Sequence, residues 1–161
     1  MDALRNRCTI SRAWNPVTGG TSPALVAFDA IWDTGATNSV ITQAVVDACA
    51  LVASGMVLVH SVHGPQEAET YLVNIGLPNN VVFHGVRVTK GNFAGAGILI
   101  GMDIITQGDF AVTNRNGTMF SFRVPSQQSI DFVAEATPSS IPLPDAGAGN
   151  RAYRRRNMRR K

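Results

Sequence analysis

Turn-forming residues recur along this chain too often for long helices. Asn15-Pro16, Gly19-Gly20, Gly64-Pro65, Pro78-Asn79-Asn80 and Asn116-Gly117 cut it into short pieces, because Gly and Asn admit the left-handed backbone of tight turns and Pro withholds a ladder donor. Between the breaks, apolar alternation and β-branched content predict strands at about 7–13, 24–32, 38–41, 56–63, 67–76, 81–89, 97–100, 109–114 and 118–124. So many short strands imply an all-β barrel or sandwich. Asn116-Gly117, between Phe110-Ala111-Val112 and Met119-Phe120, carries a type I′ hairpin signal. Two short helices interrupt the pattern. Thr42 can cap Gln43 to Leu51, with Ala44, Val45, Ala48 and Leu51 on one face and Gln43 and Asp47 toward water. Met102 to Thr106 has room for little more than one turn, with Asp103 in the first turn, where its charge suits the helix N-terminus.

The chain has 161 residues, 45% of them hydrophobic, which suffices for one domain with its own core. Residues 1–125 are expected to form it, residues 126–150 a Pro/Gly/Ser linker and residues 151–161 a disordered Arg-rich tail. Within the linker, Ile130-Asp131-Phe132-Val133 is apolar enough to dock as an extra edge strand or a partner strand. The net charge of +3 misleads, because seven of the 14 basic residues lie in Arg151–Lys161 and none of the 11 acidic ones does. The folded body is therefore mildly acidic. No apolar stretch reaches the ~20 residues that span a bilayer, and Met1 to Arg7 lack a following apolar h-region. Cys8 and Cys49 stand apart with no CxxC or zinc spacing, so they are expected as reduced thiols in a cytoplasmic setting.

Asp33-Thr34-Gly35-Ala36 is where chemistry concentrates. It follows the apolar run Ala24 to Phe28 and precedes Ser39-Val40-Ile41, so it places one carboxylate on a tight turn between strands. Backbone N–H groups and a hydroxyl can orient such a carboxylate as an acid or base. A plain solvent-facing turn uses the same residues. A second motif, Ile98-Leu99-Ile100-Gly101, again ends an apolar strand in Gly, and Gly101 follows Asp33 by 68 positions.

The two motifs in this order resemble the retroviral-type aspartic proteases, most closely the single-domain, retropepsin-like proteins of cellular genomes. The resemblance spans about residues 7–125, including Trp32 before the turn and the closing segment Gly108-Asp109-Phe110 through Phe120-Ser121-Phe122. It implies a retropepsin-like closed β-barrel or sandwich and an aspartic endopeptidase that needs no cofactor or metal. Two carboxylates must share one proton in such an enzyme. One Asp-Thr-Gly is present and the chain is too short for two lobes, so the partner must come from a second copy, in a homodimer with the two Asp33 side chains on its axis. By the same resemblance, Asp33 activates water, the Thr34 hydroxyl bridges to the facing subunit, Gly35 lets backbone approach the carboxylates, and Ala36 leaves space for a peptide or protein substrate. Leu99, Ile100 and Gly101 support the turn from beneath.

Met56 to Val62, the tip His63-Gly64-Pro65-Gln66, and Glu67 to Ile75 match in position the flap hairpin that closes over substrate in that family. His63, Gly64 and Pro65 would then meet substrate, although the tip has less glycine than usual and Pro65 removes a donor. An ordinary surface hairpin would read the same way. His60 and His63 spell HxxH, yet residues three apart on a strand point to opposite faces, which argues against a shared metal.

Arg151, Arg154, Arg155, Arg156, Arg159, Arg160 and Lys161 could bind phosphate backbones or an anionic surface, or remain solvated. Two competing readings follow: a noncatalytic β-barrel binding module whose tail recruits nucleic acid, and a catalytically silent dimer that holds peptides in a groove.

Overall fold

The computed structural model describes residues 3–15, 17–18, 21–61 and 64–135. Two compact units divide the chain after Gln127. Nine strands carry the first: β1 Leu4–Arg12, β2 Val26–Trp32, β3 Val40–Ile41, β4 Gly55–Ser61, β5 Gly64–Gly76, β6 Val82–Lys90, β7 Ile98–Ile100, β8 Asp109–Thr113 and β9 Met119–Arg123, with helices α1 Gln43–Ala48 and α2 Met102–Ile105. The fold is all-β.

One seven-stranded sheet runs β1-β2-β7-β3-β6-β5-β4, and β1 also pairs with β5. The extra pairing, Thr9–Arg12 against Gly76–Val73, closes six strands into a ring and leaves β4 attached outside through β5. Inside lie Ile10, Ile41, Val73, Ile75, Val88 and Ile98, all without solvent exposure. Each such side chain stabilises the fold by about 1.5–3 kcal/mol relative to exposure.

Strand β1 begins three residues before the alternation alone suggests. Leu4, Asn6, Cys8 and Ile10 share its inward face, where the polar Asn6 is accommodated because its Oδ1 accepts the Trp32 indole N–H at 2.9 Å. The first helix is shorter than expected. Ala50 takes a left-handed φ of 46°, the Leu51 N–H returns to the Val46 carbonyl at 3.0 Å, and the helix stops at Ala48. Its buried residues are Val45 and Val46, with Ala44 and Ala48 exposed, so the apolar face is rotated from the expected one. Thr42 occupies the N-cap in extended conformation, but its hydroxyl caps nothing and points to the Gly97 carbonyl at 3.4 Å.

Strands β8 and β9 form a separate two-stranded sheet, with Asn116 and Gly117 both at positive φ in its connection. Asp109 closes its open end by accepting from Arg123 Nε at 2.8 Å and from the Gln127 N–H at 2.9 Å.

In the second unit, residues 130–133 do not form a strand. Phe132–Glu135 makes one helical turn, because Asp131 Oδ1 accepts the N–H groups of Val133 at 2.9 Å and Ala134 at 3.2 Å, as an N-cap does. No described helix is long and apolar enough to cross a membrane.

Candidate active site

Strand β7 organises the turn around Asp33. It pairs in parallel with β2, placing Trp32 beside Ile100, and antiparallel with β3, placing Val40 beside Leu99. The limb entering the turn and the limb leaving it therefore lie on opposite sides of one short strand. Asp33 continues this ladder, its N–H donating to the Ile100 carbonyl at 2.9 Å. Its Oδ1 accepts the Gly35 N–H at 2.8 Å, while Oδ2 accepts no hydrogen bond among the described residues. A Cβ on Gly35 would stand 3.1 Å from that same Oδ1, so glycine lets the turn fold tightly over its own carboxylate.

Asp33 and Ala36 are half-buried, and Thr34 and Gly35 are exposed. The Thr34 hydroxyl has no partner among the described residues. One carboxylate oxygen and one hydroxyl are thus left open toward solvent on an otherwise hydrogen-bonded turn.

Beneath the turn, Met102 N–H donates to the Ala36 carbonyl at 2.8 Å and Asp103 N–H to the Thr37 carbonyl at 3.1 Å. Gly101 sits so close that a Cβ there would lie 2.7 Å from the Asn38 carbonyl carbon and 2.9 Å from the Ala36 oxygen. The structure therefore brings together Asp33, Thr34, Gly35 and Ala36 with Leu99, Ile100 and Gly101.

Gly64 and Pro65 lie elsewhere, at the start of β5, where Gly64 has a φ of 98° and Pro65 pairs with His60. His63 lies outside the described residues, as does the basic tail Arg151–Lys161.

Asp103 belongs with the support rather than with the open carboxylate. Both of its oxygens are occupied, Oδ1 by the Ser39 hydroxyl at 2.8 Å and Oδ2 by the Ser39 N–H at 3.0 Å. Sequence reading assigned Ser39 no part. Its signal was a small polar residue directly before the apolar pair Val40-Ile41, where a strand entering the core has no turn to make.

Trp32 fixes the turn from the other side. Its indole stacks on Phe110 with ring centroids 5.5 Å apart and meets Phe122 at 4.9 Å and Phe120 at 5.7 Å. The β8–β9 hairpin thus clamps the residue preceding Asp33, a role the sequence did not disclose.

Neither cysteine offers a competing nucleophile. Cys8 is 3% exposed, and burial, with Asp29 adding and Arg7 opposing, pushes its thiol up to about 12. Burial also raises Cys49. Thiols shifted upward carry little thiolate at neutral pH.

No family model matches the chain, and no curated protein does. Among solved structures, the chain is similar to the EIAV protease complexed with the inhibitor HBY-793, at 17% identity and a TM-score of 0.48, over 65% of this chain and 86% of that one. It is also similar to a retropepsin-like aspartic protease from Rickettsia conorii, at 12% identity and a TM-score of 0.43, over 74% of this chain and 93% of that one. Both scores fall short of 0.5, so neither likeness alone assigns an activity.

Proposed function

We propose that this protein is a retropepsin-like aspartic endopeptidase that works as a homodimer, with one Asp33 from each subunit. The observation that carries this reading is the half-finished turn. Asp33 is held at its N–H by Ile100 and at Oδ1 by Gly35, yet Oδ2 and the Thr34 hydroxyl beside it meet no group of the described chain. A second copy facing the first supplies what these groups lack.

In the dimer the two carboxylates stand too close for both to ionise, so they share one proton. The ionised one takes a proton from a water molecule as the water oxygen bonds to the peptide carbonyl carbon. The protonated one gives its proton to the carbonyl oxygen. The tetrahedral adduct then collapses: the carboxyl that took the water proton gives it to the departing amine nitrogen as the C–N bond breaks, and the other carboxylate takes one hydroxyl proton of the adduct, which restores the shared-proton pair. Gly35 and Ala36 leave room for the substrate backbone, and the β4–β5 hairpin, with Gly64 and Pro65 at the start of β5, covers the cleft and excludes bulk water. Cys8 and Cys49 are both free thiols, which suits a reducing, cytoplasmic setting.

Sedimentation mass and a peptide-library cleavage profile from acid to neutral pH test the proposal together. Wild type should sediment as a dimer and cleave, and Asp33→Asn should stay dimeric and lose cleavage. Peptidase activity undiminished in Asp33→Asn would refute the assignment. A strictly monomeric chain would remove its chemical basis.

A further inference from the structure

We infer that Ser39 and Asp103 are positioning residues that hold Asp33 in its reactive orientation through a single peptide plane. This rests on the aspartic-protease reading above.

Ser39 is fully buried, at 0% exposure, so each of its polar groups needs a partner inside the protein. Its hydroxyl donates to Asp103 Oδ1 at 2.8 Å and accepts the Gly101 N–H at 3.1 Å. Its own N–H donates to Asp103 Oδ2 at 3.0 Å, and its carbonyl accepts the Thr89 N–H at 3.1 Å. The Gly101 N–H and the Ile100 C=O are the two ends of one rigid amide. At its far end, the Ile100 carbonyl accepts the Asp33 N–H at 2.9 Å.

The route from Asp103 to Asp33 is therefore short and directional. The Asp103 carboxylate fixes the Ser39 hydroxyl proton, which turns an oxygen lone pair toward Gly101. That bond sets the tilt of the 100–101 amide, and the amide sets the height of Asp33 above the barrel. Asparagine at 103 can keep the Ser39 N–H through its Oδ1, but its NH₂ then faces the Ser39 hydroxyl, which must turn its proton away and accept, so it is the carboxylate that fixes the hydroxyl proton as found. Ser39 and Asp103 are 64 positions apart, and both are remote from the open face of Asp33. Their effect is on geometry, not on the reacting atoms.

The test measures kcat, KM, the pH–rate profile and amide hydrogen exchange for full-length wild type, Ser39→Ala, Asp103→Asn and the double variant. Ile10→Ala, which truncates a buried residue of β1 outside both this network and the β4–β5 hairpin, is the stability control. Each single variant should lower kcat by about tenfold to a hundredfold, the scale of small misplacements of a reacting group, with KM little changed. The double variant should be no worse than the more damaged single one, because both remove the same link. The two apparent pKa values of the bell-shaped profile should move toward each other, since carboxylates held less closely repel less. Exchange at Gly101 should quicken while Val88 stays protected. Ile10→Ala should lower the melting temperature and keep kcat.

Kinetics and pH profile in Ser39→Ala and Asp103→Asn matching those of Ile10→Ala would overturn the positioning role while leaving the protease reading intact. A dimeric wild type with no peptidase activity would sink both. Asp103→Asn preserves side-chain shape and decides the matter if Ser39→Ala does not fold.

Discussion

On the Asp33 side of the barrel, β2, β7 and β3 lie side by side, Gly101 presses against the backbone of Ala36 and Asn38, and three phenylalanine rings gather at Trp32. On the opposite end of the sheet order, β4 pairs with β5 alone among the described strands and exposes Met56 and Leu58 on one face and Val57 on the other. The same kind of element is thus clasped in one place and extended into solvent in the other. Chemistry that depends on small displacements belongs on the clasped side, whereas a segment that must open and close belongs where few buried contacts hold it.

The strongest challenge to this contrast is Gly101→Ala. The added methyl meets backbone atoms of Asn38 and Ala36 within 3 Å, and backbone cannot rotate away as a side chain can. A loss of about 1–3 kcal/mol or more is expected, the range of overpacked cores, together with loss of peptidase activity in whatever fraction still folds. Denaturant titration and activity per folded molecule measure the two effects. A variant of wild-type stability and turnover would mean that the turn is not held from below.

How much of this could be read beforehand depended on distance along the chain. Asp33-Thr34-Gly35-Ala36, Ile98 to Gly101 and the Asn116-Gly117 hairpin were legible because each is a contiguous pattern whose local chemistry suffices. The Ser39–Asp103 bond was not, because serine and aspartate each have an adequate local explanation, one as strand entry and the other as helix first turn. The start of β1 was obscured by Asn6, whose inward direction makes sense only once Trp32 is beside it. The rotated face of α1 follows from the barrel choosing Val46 over Ala44, a tertiary preference that periodicity over six residues is too short to specify. Asp131 overrode the apolar character of residues 130–133 by capping a helical turn.

A smaller effect sharpens the other side of the comparison. Met56 and Leu58 are 61% and 56% exposed, so replacing both by serine should change stability by within about 0.5 kcal/mol per site, as for surface positions elsewhere. If the hairpin covers bound peptide, the same variant should raise KM for peptide substrates more than it lowers kcat. A marked drop in melting temperature would show that β4 is part of the core after all. Unchanged KM with unchanged stability would leave the hairpin as a surface feature without a role in binding.

The smallest expected effect concerns the base of that hairpin, where Glu69 sits opposite Met56 and its Oε2 accepts from Lys90 Nζ on β6 and from the Tyr71 hydroxyl. The Lys90 hydrogen bond first, then that from Tyr71 and the Lys90 charge, hold the Glu69 carboxyl below its ordinary value of 4.5, and the bond to Glu69 holds the Lys90 amine above its own. A lowered carboxyl stabilises the fold above its unfolded-state pKa and loses that contribution as pH falls through the folded value. A raised amine does the reverse, contributing below its unfolded-state value and fading as pH climbs past the folded one. The link should therefore be complete at neutral pH and weaken at both extremes. Because the pair is partly exposed, salt should screen it. Melting temperatures of wild type and Glu69→Gln should differ slightly at neutral pH and low salt, and converge as pH drops below 4.5 or as salt rises. Parallel curves across that acid range would mean that the hairpin base is held by its β5–β6 ladder alone, with no electrostatic share.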